Sequence, residues 1–282
     1  MSRPLRWIMG LVAAVAAGCQ TPSPRGGEPP PAYETLASFH NKRVEMLSRV
    51  YARGNVEIRW TDDDGGHFEQ GDLDLWIALP DRTALNISKF SERILWLGSR
   101  GKWAWVFDFR GDETVLSCVG HEEFRAPGDA AGIFVVPQSL LGLCGLTRLP
   151  EPSAEHPSVS HDPHSDVLMV TVSRQDGTRR LFIDRETLLP VGVEDLSAEG
   201  ALLVSSTINL ARYAPVAVEG AGPGQRPMFP TLIDIDAPDK SASIKIAVRR
   251  PTNEVEDRFF DLNWLMSAMR PERVEGECPC WE

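Results

Sequence analysis

Leu73-Asp74-Leu75-Trp76-Ile77-Ala78-Leu79-Pro80-Asp81-Arg82 is the stretch on which the fold turns. Leu73, Leu75, Ile77 and Leu79 recur at every second position, with Asp72 and Asp74 between the first of them. Successive side chains of a strand point to opposite faces, so this period belongs to a strand with one face turned to a core. Pro80-Asp81 breaks the run. The same alternation lies on either side. Upstream, Val56, Ile58 and Trp60 alternate with Glu57 and Arg59, and Asp62 to Gly66 forms a turn. Downstream, Leu85 and Ile87 alternate with Asn86 and Ser88, Leu95 and Leu97 follow, and Ser99 to Lys102 is a tight turn. Trp103, Trp105, Phe107 and Phe109 then alternate with Ala104, Val106 and Asp108, and Val115 to Val119 continues the pattern. Six consecutive strands are expected. They are antiparallel, because links this short cannot cross over to make parallel neighbours.

Before these strands, Tyr33 to Arg53 reads as an amphipathic helix with Leu36, Phe39, Val44, Leu47, Val50 and Tyr51 near one face. Gly54 follows, where a helix commonly ends. Gly120 to Leu149 interrupts the strands and carries a short helix that starts at Pro137. Pro150 to Ser165 reads as a polar loop rich in proline and histidine. Strands resume at Val167 to Ser173, Arg180 to Asp184, Leu189 to Leu196 and Ala201 to Tyr213, with a hairpin turn at Gln175 to Thr178. Ala214 to Pro230 is a Pro/Gly-rich connector, and Asp261 to Met269 a short helix capped by Asp261.

The N-terminus has a different character. Arg3 and Arg6 precede an unbroken apolar run from Trp7 to Ala17, and Ala16-Ala17-Gly18-Cys19 closes it. A basic start, a short apolar core and small residues before a cut site make a secretory signal peptide. The run is shorter than the ~20 residues a membrane-crossing helix needs. Gln20 to Ala32 reads QTPSPRGGEPPPA, a proline-rich tether with nothing to anchor a core. The expected organisation is a signal peptide over 1–18, a tether over 19–32 and a single domain over 33–282.

A cysteine after small residues is similar to the bacterial lipobox, although Ala16 stands where leucine is usual. The resemblance implies that Cys19 is lipidated and becomes the first residue of the mature chain. The alternative is an ordinary signal peptide with an incidental cysteine. Two or three acyl chains hold a protein stably to a membrane. Gln20, in place of the aspartate that favours inner-membrane retention in enteric bacteria, favours the outer membrane. The expected location is therefore the cell envelope, lipid-anchored and facing the periplasm.

The folded part resembles the Lol lipoprotein-localisation (LolA/LolB-like) superfamily of bacterial lipoproteins. The residues that carry the resemblance come in order: the helix running into Gly54-Asn55-Val56-Glu57-Ile58, the strand ending Leu79-Pro80-Asp81-Arg82, the turn and aromatic strand Gly101-Lys102-Trp103-Ala104-Trp105-Val106-Phe107-Asp108, and the helix near Pro137 to Cys144. The match covers Tyr33 to Tyr213, and the segment beyond has no counterpart. The resemblance implies a mainly β (α+β) fold, an unclosed antiparallel β-barrel or half-barrel with an N-terminal helix and short covering helices. It also implies an apolar cavity able to take acyl chains. Trp60, Leu75, Ile77, Leu85, Leu97, Trp103, Trp105 and Phe107 are the candidate lining. The competing reading makes the same residues an ordinary dry core. One departure is that the hairpin turns are polar apart from Phe90, whereas the family's outer-membrane receptor carries an exposed apolar loop.

Charge and cysteines set further bounds. The chain carries −11, which becomes −13 once Arg3 and Arg6 are removed with the leader. That balance argues against nucleic acid, whose binding rests on Lys and Arg neutralising phosphates. Cys118, Cys144, Cys278 and Cys280 allow three pairings, and export permits disulfides. Cys278-Pro279-Cys280 reads best as a terminal staple, and Cys144, in an apolar run, equally well as a free buried thiol. His156, His161 and His164 lie in one loop with Asp162 and Asp166, but their spacing fits no common metal site. No nucleophile elbow, phosphate loop or dinucleotide fingerprint is present. No cofactor, metal or catalytic residue is expected. The expected role is to bind a lipid or acylated ligand in the cavity, in lipid or lipoprotein transport. The alternative is a structural or interaction lipoprotein of the envelope with a filled core and an unknown protein partner.

Overall fold

The computed structural model describes residues 30–120, 137–151, 157–162 and 165–278. Helix α1 (Tyr33–Met46) opens the described chain and is shorter than expected. Its last turns give way to β1 (Arg49–Asp62), whose residue Arg49 already pairs with Ala78. The apolar positions Val50 and Ala52 thus belong to the period of two that continues through Val56 and Ile58. Phe39, assigned to the apolar face of the helix by its spacing, is 47% exposed.

β1 to β6 form a meander: β2 (Gly65–Ala78), β3 (Arg82–Lys89), β4 (Glu92–Arg100), β5 (Trp103–Asp108) and β6 (Val115–Gly120) follow in turn. Helix α2 (Pro137–Leu143) lies between this meander and a second one. The second comprises β7 (Ser158–Asp162), β8 (Val167–Arg174), β9 (Gly177–Asp184), β10 (Pro190–Ser197) and β11 (Leu202–Ile208). So the histidine-rich loop holds a strand, and the strand expected from Ala201 ends at Ile208. Inside the expected connector, β12 (Tyr213–Pro215) and β13 (Met228–Pro230) pair as a separate ribbon.

Beyond that ribbon lie two longer strands that the sequence analysis also does not contain, β14 (Leu232–Ala237) and β15 (Ala242–Thr252). They join the two meanders: β15 pairs with β1, and β14 pairs with β11. The result is one 14-stranded sheet in the order β16-β6-β5-β4-β3-β2-β1-β15-β14-β11-β10-β9-β8-β7, where β16 is Arg273–Glu275. The last strand to be added, β16, lies parallel to β6, and every other pairing in the sheet is antiparallel.

The sheet curls without closing. Ala104 and Val106 of β5 and Leu168 and Val170 of β8, near opposite ends of the strand order, share one buried cluster. Leu36 and Leu47 of the α1 region and Leu140, Leu141 and Leu143 of α2 cover that inner face and complete the cluster. The fold is an unclosed antiparallel half-barrel with helices over its inner side.

A second core lies on the outer face. Trp76, Trp96, Trp105, Phe107, Leu116 and Cys118 of the first meander pack there against Phe260, Leu262 and Leu265. Trp76 stacks on Trp96 at 5.1 Å and on Phe259 at 4.5 Å between ring centroids. Gly98 makes room for this layer, because a Cβ there would come within 2.4 Å of the Trp105 indole. Helix α3 (Leu262–Met269) docks on it, with Asp261 accepting the Trp264 backbone N–H as the sequence led one to expect. A disulfide between Cys118 and Cys278 ties the chain end to β6. The terminal staple is therefore long-range rather than local. Cys144 is the free buried thiol, and burial pushes its pKa up to about 12, which leaves it protonated and inert.

Polar side chains of α1 hold the segment that leaves α2. Asn41 donates Nδ2–H to the Leu149 carbonyl (2.9 Å) and accepts the Leu149 N–H (2.8 Å). Arg43 donates to the carbonyls of Gly145 and Met228, and burial lowers the pKa of its guanidinium. His40 Nε2–H donates to the Thr147 carbonyl at 2.9 Å, which fixes the tautomer, while Nδ1 is buried without a partner.

Two expectations follow from this packing. Gly54 on β1 lies so close to β15 that a Cβ would come within 1.9 Å of the Ala247 carbonyl oxygen. Gly54→Ala should lower unfolding stability by about 1–3 kcal/mol, the usual cost of overpacking, read as a shift in urea midpoint. Gly66→Ala, with open space around it, should leave the midpoint unchanged. The second concerns pH. Burial first, then the neighbouring Arg43, lowers the His40 pKa from 6.5 to about 4. The unfolded chain therefore binds more protons at this group between those values. Its contribution is fully present above pH 6.5 and is lost as the pH falls towards 4. The loss should be about 3 kcal/mol. His40→Gln should remove that share of the acid destabilisation in urea melts at pH 4 and pH 7.

Candidate functional site

The inner face is not filled everywhere. Where α2 meets the strands, a cleft of about 460 Å³, open mouth included, is lined by Val56, Ile58, Leu85, Ile87, Leu97, Pro137, Leu140, Ile244 and Ile246. The alternation of β1, β3, β4 and β15 delivers these side chains. Val56 pairs with Ile246 and Ile58 with Ile244, while Leu85 pairs with Leu97, so matched apolar residues stand in rows across the sheet. Every lining residue is apolar.

An adjoining cleft of about 370 Å³ shares Val56, Ile58 and Ile87 with the first and extends towards the hairpin tips. Its further lining is Trp60, Gly71, Ile94 and Leu95, with the polar residues Glu69, Gln70 and Arg110. The two clefts make one trough that is apolar under α2 and polar only at its outer end.

The polar end is internally compensated. Arg110 Nε donates to Asp108 Oδ1 at 2.9 Å, and its backbone N–H donates to the same oxygen at 3.0 Å. Burial pushes the Asp108 carboxyl up, but the bonds from Arg110 outweigh it and hold the group below the usual carboxylate range. Lys89 Nζ lies 3.3 Å from Glu69 Oε2. Trp60 stacks on His67 with centroids 4.9 Å apart, and His67 Nε2 lies 2.8 Å from Asp62 Oδ1. That bond is the main reason the Asp62 carboxyl is held below its ordinary value.

The structure divides the eight residues expected to line one cavity. Trp60, Leu85 and Leu97 line the trough. Leu75 and Ile77 share the inner face with them but lie wholly in the packed core. Trp105 and Phe107 are on the other face, in the outer core, and Trp103 shares their side of β5. The reason is register. Val106 pairs with Leu97, and Trp105 pairs with Gly98, so the small residues Ala104 and Val106 of β5 face inward. A shift of one residue exchanges the faces of a strand, and β5 is buried on both. Its aromatic residues therefore mark the wrong side.

Ile58, Val56, Ile87, Ile244 and Ile246 carry much of the trough and were not singled out from the sequence. The first three stand in alternations already read, and Ile244 and Ile246 belong to the unread strand β15. Of the histidine cluster, His161 lies on β7 with Nε2 3.3 Å from Asp166 Oδ1, and His156 and His164 fall outside the described residues. Cys19 and Cys280 also lie outside them. Among the described residues no group of three or more His, Cys, Asp or Glu could hold a metal ion. Among them, too, no helix is long and apolar enough to cross a membrane.

No protein-family model matches the chain, and no curated protein matches it in sequence. Solved structures do. A Vibrio parahaemolyticus domain designated as an outer membrane lipoprotein-sorting protein is 12% identical, with a TM-score of 0.52 over 82% of this chain and 97% of that one. A DUF1329 family protein from Desulfovibrio piger matches with the same identity and TM-score, over 82% of this chain and 96% of the other. A LolA superfamily protein from Nitrosomonas europaea is 17% identical over 81% of this chain and 98% of that one, at a TM-score of 0.46. At these identities the likeness concerns the fold, and with the open 14-stranded sheet under its helices it shows that the protein has the LolA-like unclosed-barrel fold.

Proposed function

We propose that this protein is a lipid-anchored lipoprotein of the bacterial envelope, outer membrane rather than inner, that binds a lipid or an acylated ligand in the trough under α2. The observation that carries the reading is the entirely apolar cleft at the meeting of β1, β3, β4, β15 and α2. Burial of apolar surface there would supply the affinity, at about 25 cal/mol per Å² removed from water. The polar groups sit at one end, where they can orient a ligand without taking charge into the core.

Binding rather than catalysis is the activity in this reading. Cys144 is protonated and sealed in the core, and the trough itself offers Glu69 as its one acid and no histidine. The anchor rests on Cys19 and the leader before it, and the tether of residues 19–32 gives the folded part reach from the lipid surface. The runner-up is an interaction lipoprotein with no small ligand. What favours it is how completely the rest of the inner face is packed, from Leu36 and Leu47 to Leu143 and Val193.

Native mass spectrometry of the protein extracted with its lipids separates the two readings. The expected result is a bound lipid mass that is lost, or weakened about tenfold, in Ile244→Trp, where a partly buried wall residue grows into the cleft. An unliganded spectrum for the unaltered protein would leave the interaction reading. For the anchor, metabolic labelling with palmitate should mark the protein, and Cys19→Ala should abolish both the label and the recovery in membranes.

A further inference from the structure

The trough has direction, and its charges select a head group. Its inner part, from Leu85 and Leu97 to Leu140, presents hydrocarbon alone. Every polar lining group, Glu69, Gln70 and Arg110, is at the other end, beside Trp60. An amphiphile satisfies both ends only with its chain under α2 and its polar end between the hairpin tips. The reverse pose would bury a polar group without a partner, which costs several kcal/mol.

The charges at the mouth come in compensated pairs. Arg110 is bound to Asp108, and Lys89 lies beside Glu69. A ligand with a net negative end must compete with Asp108 for Arg110 and meets Glu69. A net positive end must compete with Lys89 and meets Arg110. Either leaves one charge uncompensated, which specific sites use to reject wrong partners. The net charge of −11 adds repulsion against an anion. A dipolar or hydrogen-bonding end can use Gln70 and both pairs at once.

We propose that the trough takes an amphiphile tail first, and that the polar end of this amphiphile carries no net charge. This rests on the trough being a lipid site and names the class of lipid. The test uses the full chain carrying Cys19→Ser, so that no attached lipid competes. Four probes share a palmitoyl chain: lysophosphatidylethanolamine, monopalmitoylglycerol, lysophosphatidylglycerol and palmitate. The first two should bind at least about tenfold more tightly than the last two. Glu69→Gln, which removes a negative charge from the mouth, should narrow the preference for monopalmitoylglycerol over palmitate several-fold. A palmitoyl probe with a photoreactive group at the chain end should label Leu140 or Ile246. Equal or tighter binding of palmitate would overturn the head-group assignment and leave the lipid site standing. Chain-end labelling at Trp60 or Gln70 would overturn the direction. Failure of all four probes to bind would overturn the lipid site itself.

Discussion

The contact between β1 and β15 is the constraint on which the rest depends. Two antiparallel meanders, each able to form from local pairings, become one sheet only because β15 runs beside β1 and β14 beside β11. The pairing brings residues nearly 200 positions apart into register, such as Val56 with Ile246. At Gly54 the two backbones approach more closely than any side chain allows, and the register shifts between Tyr51 and Arg53. Irregularities of this kind bend a strand and increase its twist. The same contact supplies the site. Ile244 and Ile246 reach the trough from β15, and Val56 and Ile58 from β1, so the wall of the cleft is the seam between the two halves.

The meander from β1 to β6 was legible because each strand alternates apolar and polar residues and each link contains turn chemistry. The seam was not. Leu232, Ile233 and Ile235 precede Pro238, and Ile244, Ile246 and Val248 follow it, an alternation as regular as that of β3. It does not stand out because the Lol-like pattern ends at Tyr213 and the proline-rich segment before Pro230 suggests irregular chain. The boundary of α1 was misplaced for a different reason. Val50 and Tyr51 fit the helical spacing from Leu47 as well as they fit a strand, and only the pairing of Arg49 with Ala78 decides.

The site was half legible. Trp60 and Leu85 were found because their strands carry polar residues on the other face, and Leu97 because it stands two places after Leu95. Trp105 and Phe107 were misassigned because β5 has no polar face to orient it. Size was a poor guide there: Ala104 and Val106 face the inner side, while the large rings fill the outer core. The long-range disulfide lay beyond the sequence for a similar reason. Cys118 and Cys278 are 160 residues apart, and nothing local marks β16 as a neighbour of β6.

The presence of two cores bears on how a sheet of this shape keeps an open trough. Stacked aromatics hold the first meander from outside, with α3 over them and the Cys118–Cys278 bridge beside them. A disulfide that closes so long a loop contributes about 5 kcal/mol on the chain-entropy account. The curvature of β1 to β6 is thereby supported on the face opposite the trough. On the inner face α1 is fixed by side-chain bonds to the segment from Gly145 to Leu149, so the helical cover is held by polar contacts at its margin as well as by leucines beneath it. An unfilled stretch of wall under α2 then costs only the packing lost along that stretch, because neither the bend of the sheet nor the seat of α1 depends on it.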